Sequence, residues 1–311
     1  TEENSRSQLW ARAAEPIART NTVLVEHRTD VEILQADVAV INPETGNAFV
    51  FRHVDPDAAP SRLLPAETLQ AASEGTVEDP LSTVAQAANL ADANADNIIF
   101  VQEGNVGGGF TLPDGVQVRS AGPVQQLATQ FGDITLPGSG SGNLPTVTGT
   151  VTVGNNALVS GLNIDPSASA LEEALAPAAV TAAEVTEAQA VANGIVARGE
   201  NITLEDNVIA NVNQGIDLPD IDGTVSIVRN QISNTLSDGI FFGDIEGEDN
   251  ATVTVANNTL DTVGGEGIEF GLIQGNAIAN ITVANNQITD AQVDSIFFDD
   301  IQQDAIATIV A

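Results

Sequence analysis

Cysteine, methionine, tyrosine and lysine do not occur in the 311 residues. Without cysteine there is no disulfide framework. Without lysine, every basic side chain is one of nine arginines, set against 43 acidic residues for a formal charge of −34 at pH 7. Such a balance excludes nucleic acid and anionic membrane surfaces as partners and fits a chain kept soluble in a saline exterior. Long apolar runs are missing too. The longest, alanine-rich from Ala174 to Ala192, is broken by Pro177, Glu184 and Glu187, so no transmembrane helix is expected. No signal peptide is present and the first residue is not Met, so the chain reads as a processed or excised piece of something longer.

What is there is repetition. Apolar residues make up 42% of the chain, enough for a sizeable core. Four segments open with Gly-Ile or Ser-Ile at Gly215, Gly239, Gly267 and Ser295, spaced 24, 28 and 28 residues apart, and an earlier one opens at Gly194. Three of the four run on to a second strand that ends in Asn and then Ile or Leu. A period of this length holding two short alternating strands and no helix implies a β-solenoid, with one coil per repeat. Within the first strand, Ile216 and Leu218, Ile240 and Phe242, Ile268 and Phe270, and Ile296 and Phe298 share one face and should point inward. After the second strand comes an Asn in every coil, at Asn207, Asn230, Asn258 and Asn286. Stacked about 4.8 Å apart, these amides can bond one another as a structural ladder.

Organisation changes near residue 55. Residues 1–54 hold five of the nine arginines and alternating strands such as TVLVEHR and VEILQADVAVI, with a turn at Asn42-Pro43-Glu44-Thr45-Gly46 before AFVFRHV. This is read as a β-rich unit or linker ahead of a solenoid spanning 55–311. Two insertions interrupt the early coils. Residues 123–147 carry the flexible LPGSGSGNLP, and residues 165–193 have the Ala, Glu and Leu content of one or two short helices. Either could cover a surface groove.

From Ser73, GTVEDP, a short helix bearing Val84, Ala87 and Leu90, and the strand IIFVQEG resemble the start of a right-handed parallel β-helix of the pectin-lyase-like superfamily. That resemblance covers about residues 73–311 and implies an all-β fold whose helix caps the amino-terminal end of the core. ARAAEPIARTNTVLVEHR is similar to the region where the barrel of inverse autotransporters, the intimin and invasin class, gives way to its passenger. Bacterial surface proteins of that kind, cyanobacterial ones among them, place a parallel β-helix directly after it. The resemblance implies an extracellular or cell-surface location; 54 residues cannot themselves form a membrane barrel.

Candidate chemistry lies on the outward column of the first strand, Asp217, Phe241, Glu269 and Phe297. Asp217 and Glu269 stand two coils apart, roughly 9 to 10 Å, near the upper separation of an inverting glycosidase pair. Phe241 and Phe297 can stack on a sugar or on another protein. Asp220, Asp244, Asp299 and Asp300 form a second acidic column that could bind calcium. Against catalysis, enzymes acting on uronates need cations at the substrate carboxylate, and after Arg62 only Arg119, Arg198 and Arg229 remain, scattered through separate turns. The paired Asp beside His-Gly of pectinases is missing, and His27 and His53 precede the solenoid. The expectation is therefore a non-catalytic surface solenoid without a required cofactor. A polysaccharide-acting or carbohydrate-binding β-helix is the alternative. The sequence stops at AIATIVA without a polar cap, so further coils or other copies of the chain are expected against that end, with surface glycans or proteins as further partners.

Overall fold

The computed structural model describes residues 39–57, 75–91, 95–167, 192–246 and 250–310. Two units are distinguished, residues 1–38 and 39–311, and every described residue belongs to the second. The amino-terminal strands up to residue 38, the autotransporter-like stretch, His27, Arg62 and the helical part of the second insertion, 168–191, lie outside the described residues.

The strands wrap around three faces, and on each face every strand pairs in parallel with its counterpart one coil away. The first face stacks Phe110–Leu112, Val151–Val153, 195–197, 216–218, Ile240–Phe242, Ile268–Phe270 and Ile296–Phe298. The second runs from Phe49–Val54 through Asp96–Val101, Val116–Ser120 and Leu158–Ser160 to Asn250–Ala256, Ile278–Ala284 and Ile306–Val310. The third runs from Asn105–Gly107 to Gln287–Ala291. Ile195–Glu205 and Ile216–Val228 are long enough to bend from the first face onto the second. The architecture is an all-β, right-handed parallel β-helix.

Like sits on like inside it. Ile216, Ile240 and Ile268 form one fully buried column, and Leu218, Phe242 and Phe270 form the next. Phe242, Phe270 and Phe298 stack face to face, with ring centroids 4.4 and 4.5 Å apart and planes within 2° of parallel. The strand spacing sets these parallel rings one above another, and the gain is burial. The glycine that opens each coil has a steric cause. A Cβ on Gly215 would lie 2.3 Å from the carbonyl oxygen of Gly239, and one on Gly239 would lie 2.6 Å from that of Gly267. Ser295 occupies the same column in the last described coil, with no described coil beyond it.

Between the second and third faces four successive coils turn on a left-handed residue, Asp206, Arg229, Asn257 or Asn285 (φ 55° to 58°), followed by the column asparagine. Asn207, Asn230 and Asn258 are fully buried. Each Nδ2 donates to the next amide's Oδ1, at 3.0, 3.1 and 3.0 Å along the column from Asn207 to Asn286. Each Nδ2 also donates back to a strand carbonyl of the preceding coil, such as Leu204 O from Asn230 at 3.0 Å. Each Oδ1 accepts, in addition, the backbone N–H of the preceding coil's turn. The amide therefore satisfies main-chain groups that the turn takes out of the sheet, at no unpaired polar cost.

The amino-terminal end is closed differently. A helix, α1 (Val84–Asn89), is capped by Thr83 and buries Val84, Ala87 and Ala88 against the main core. Leu90, the residue that ends the helix, is 42% exposed, and its carbonyl accepts both Nε and Nη2 of Arg52. Phe49–Val54, grouped by composition with the preceding unit, pairs with Asp96–Val101 and is the outermost strand of the second face. Of the first insertion, Gln126–Thr129 and Gly132–Thr135 form an antiparallel hairpin, while Thr146–Val147 already belongs to the third face. Asn230→Ala removes the acceptor of two hydrogen bonds and the donor of three; it should lower stability by about 3 kcal/mol, measured by chemical denaturation, with the β-sheet circular dichroism retained.

Candidate acidic site on the first face

At the corner where the third face turns into the first, the residue preceding the opening glycine forms a polar column: Asn193, Gln214, Asp238, Glu266 and Asp294. Beside it runs the outward column of the first face, Val196, Asp217, Phe241, Glu269 and Phe297, all in register. Asp217 and Glu269 are thus separated by the rung carrying Phe241, and Phe241 and Phe297 are both half-buried on the outside. The alternation that sends Ile240 and Phe242 inward sends these side chains outward.

The two columns meet at a group of three carboxylates. Oxygens of Asp238, Glu266 and Glu269 lie within 4.8 Å of one another. Asp238 is buried, and its oxygens accept from Gln214 Nε2 at 3.1 Å, Ser237 Oγ at 3.1 Å and the Glu266 N–H at 3.0 Å. One rung away, Asn193 Nδ2 donates to Asp217 at 2.8 Å. Burial pushes the Glu269 carboxyl up to about 7, helped by repulsion from Asp238, Glu266 and Asp299 and by a hydrogen bond to Asp238. Glu266 is raised by burial and by its contact with Asp238; Asp217 is raised by burial, opposed by the Asn193 bond and by Arg198.

Alternation within strands does not reveal Asp238 and Glu266; the signal that does is the polar residue before each opening glycine. Nor do Asp220, Asp244, Asp299 and Asp300 belong to that trio. Their column is interrupted, since Leu272 stands between Asp244 and Asp300 and its N–H donates to Asp244 at 3.0 Å. Of the three arginines, Arg119 and Arg198 stand in strands, and Arg229 alone is in a turn, paired at 2.8 Å with Glu205 and Asp206. His53 packs edge-on against Phe100 on the second face, away from this corner.

Residues 149–302 match the family described as the right handed beta helix region. That stretch holds the glycine, asparagine and phenylalanine columns and the whole acidic corner. No curated protein and no solved structure matches the chain. The β-helix match speaks for the scaffold; the acidic corner is a feature of side chains set upon it.

A carboxyl that holds its proton more tightly in the folded chain than in the unfolded one favours folding on acidification. Stability should therefore fall as pH rises from the ordinary glutamate value of 4.5 to about 7, and level off above that. Glu269→Gln should flatten this slope; denaturation midpoints at pH 5, 6, 7 and 8 measure it, and an equal slope in both proteins would contradict the assignment.

Proposed function

We propose that this chain is a non-catalytic structural or adhesive β-solenoid, displayed outside the cell or on its surface. It acts as a rigid passenger, spacer or building unit of a surface assembly. The single observation that carries the reading is the unbroken register of like columns, in which the residues repeated most strictly hold coils together rather than converge on a cleft. Support comes also from the acidic surface and from the resemblance to passengers that follow an inverse-autotransporter region. The acidic corner gathers three carboxylates, with Arg198 acting on the neighbouring Asp217, so its charge is negative in balance, unlike a site built to hold a uronate. Further coils, or another copy of the chain, would stack on the last coil, where Ile296, Ile301 and Ile306 are 38%, 50% and 60% exposed.

One observation favours a second reading, a polysaccharide-acting or carbohydrate-binding β-helix. Half-buried aromatics alternate with carboxylates along one outward column, a surface on which sugar rings can stack. Incubation with a panel of neutral and acidic polysaccharides separates the two. The structural reading predicts no product release and no difference in Asp217→Asn or Glu269→Gln. Product release lost in those variants, with the fold intact, would overturn it. Glycan affinity without turnover, lost in Phe241→Ala and Phe297→Ala, would establish binding instead.

A further inference from the structure

The hairpin of the first insertion lies against the outer side of the second face and closes a second apolar core there. Ile98, Phe100, Ala121, Leu127 and Leu136 are each at most 4% exposed, with Phe49 and Phe51 packed on them. Ile98 and Phe100 point away from the main core, whereas Ile99 and Val101 point into it. At the edge of this second core sits Arg119, 8% exposed. Its Nε donates to Gln117 Oε1 at 3.0 Å, and its Nη1 donates to Gln125 Oε1 and to the Gln126 carbonyl, both at 3.1 Å. Gln125 in turn donates to Ser160 Oγ at 2.9 Å and to the Ser120 carbonyl at 3.3 Å.

These acceptors are all neutral. Glu205, two strands along the same column, acts on Arg119 only at a distance and is itself held by Arg229 at 2.8 Å. A guanidinium taken out of water without a carboxylate is costly, and its fork must be offset by what it fastens. What it fastens is the start of the hairpin. The return segment is held by main-chain bonds from Gly140, Ser141 and Gly142 to Ala121 and Gly122, and Gly138, Gly140 and Gly142 adopt φ of 84°, 91° and 84°. Glycine reaches these angles without strain, so the return segment can change path cheaply.

We propose that residues 123–142 are a cover that opens off the second face as one unit, and that Arg119 is the latch at its base, its tip being tied separately by Gln130 to Ala39 and Ile41. Opening would leave the coils intact and bare an apolar band beside a single cationic fork, on a solenoid that is otherwise acidic. Arg119 is a positioning residue in this device.

Native-state hydrogen exchange followed by mass spectrometry tests it. In Arg119→Met, which keeps the apolar stem but loses the donors, amides of 126–135 should exchange at least about tenfold faster, while those of 251–256 are unchanged. Arg119→Lys, which keeps charge but loses the fork, should lie between. Gln125→Leu removes an acceptor of Arg119, together with the donor to Ser160 and Ser120, and leaves the guanidinium in place; it should give the same local acceleration even if Arg119→Met does not fold. Unchanged hairpin exchange in these variants would overturn the proposal. So would acceleration of hairpin and solenoid amides together, which would make Arg119 part of the common core.

Discussion

Parallel, in-register pairing sets each residue directly against its counterpart in the next coil, about one strand spacing away. Every column must therefore tolerate itself. Apolar columns gain from this, since Ile on Ile and Phe on Phe exclude water along the whole axis. Amide columns gain as well, because an amide is donor and acceptor at once and can bond to a copy of itself. Glycine is required where one coil's carbonyl approaches the next coil's Cα too closely for a side chain. Carboxylates are the opposite case. Brought together at Asp238, Glu266 and Glu269 they lose water and repel, and burial first, with repulsion added, raises Glu269.

The same rule decides what could be read without a structure. The opening glycines, the inward Ile, Leu and Phe pairs and the asparagine column are visible because one column occupies one place in each repeat, so spacing alone exposes it. Asp238 and Glu266 escaped because their neighbours in the same column, Asn193 and Gln214, are different polar residues, and chemical likeness rather than identity links them. Asp220 and Asp244 suggest a longer acidic column only until Leu272 is placed between Asp244 and Asp300.

The amino-terminal coils resist such reading for a different reason. Phe49–Val54 and Asp96–Val101 share no repeat with the later coils, and their outward apolar residues face the hairpin rather than solvent. Nothing local distinguishes Ile98, which serves the second core, from Ile99, which serves the first; only the position of residues 126–136 does. Arg119 likewise reads as a lone basic residue until the strand register brings it beside Gln125 and Ser160. The repeated part of the chain is legible as a pattern, and the parts that modify it are legible only as contacts.

If coils are held chiefly by their neighbours, one whole coil is dispensable. Deleting Gly239 to Glu266, one 28-residue repeat, joins Asp238 to Gly267 and leaves each column in register. Equilibrium unfolding of this shortened chain, followed by β-sheet circular dichroism, tests that claim most directly. The account predicts a folded protein with the same signal per residue and a cooperative transition. An unfolded chain, or a transition broadened into separate steps, would contradict it.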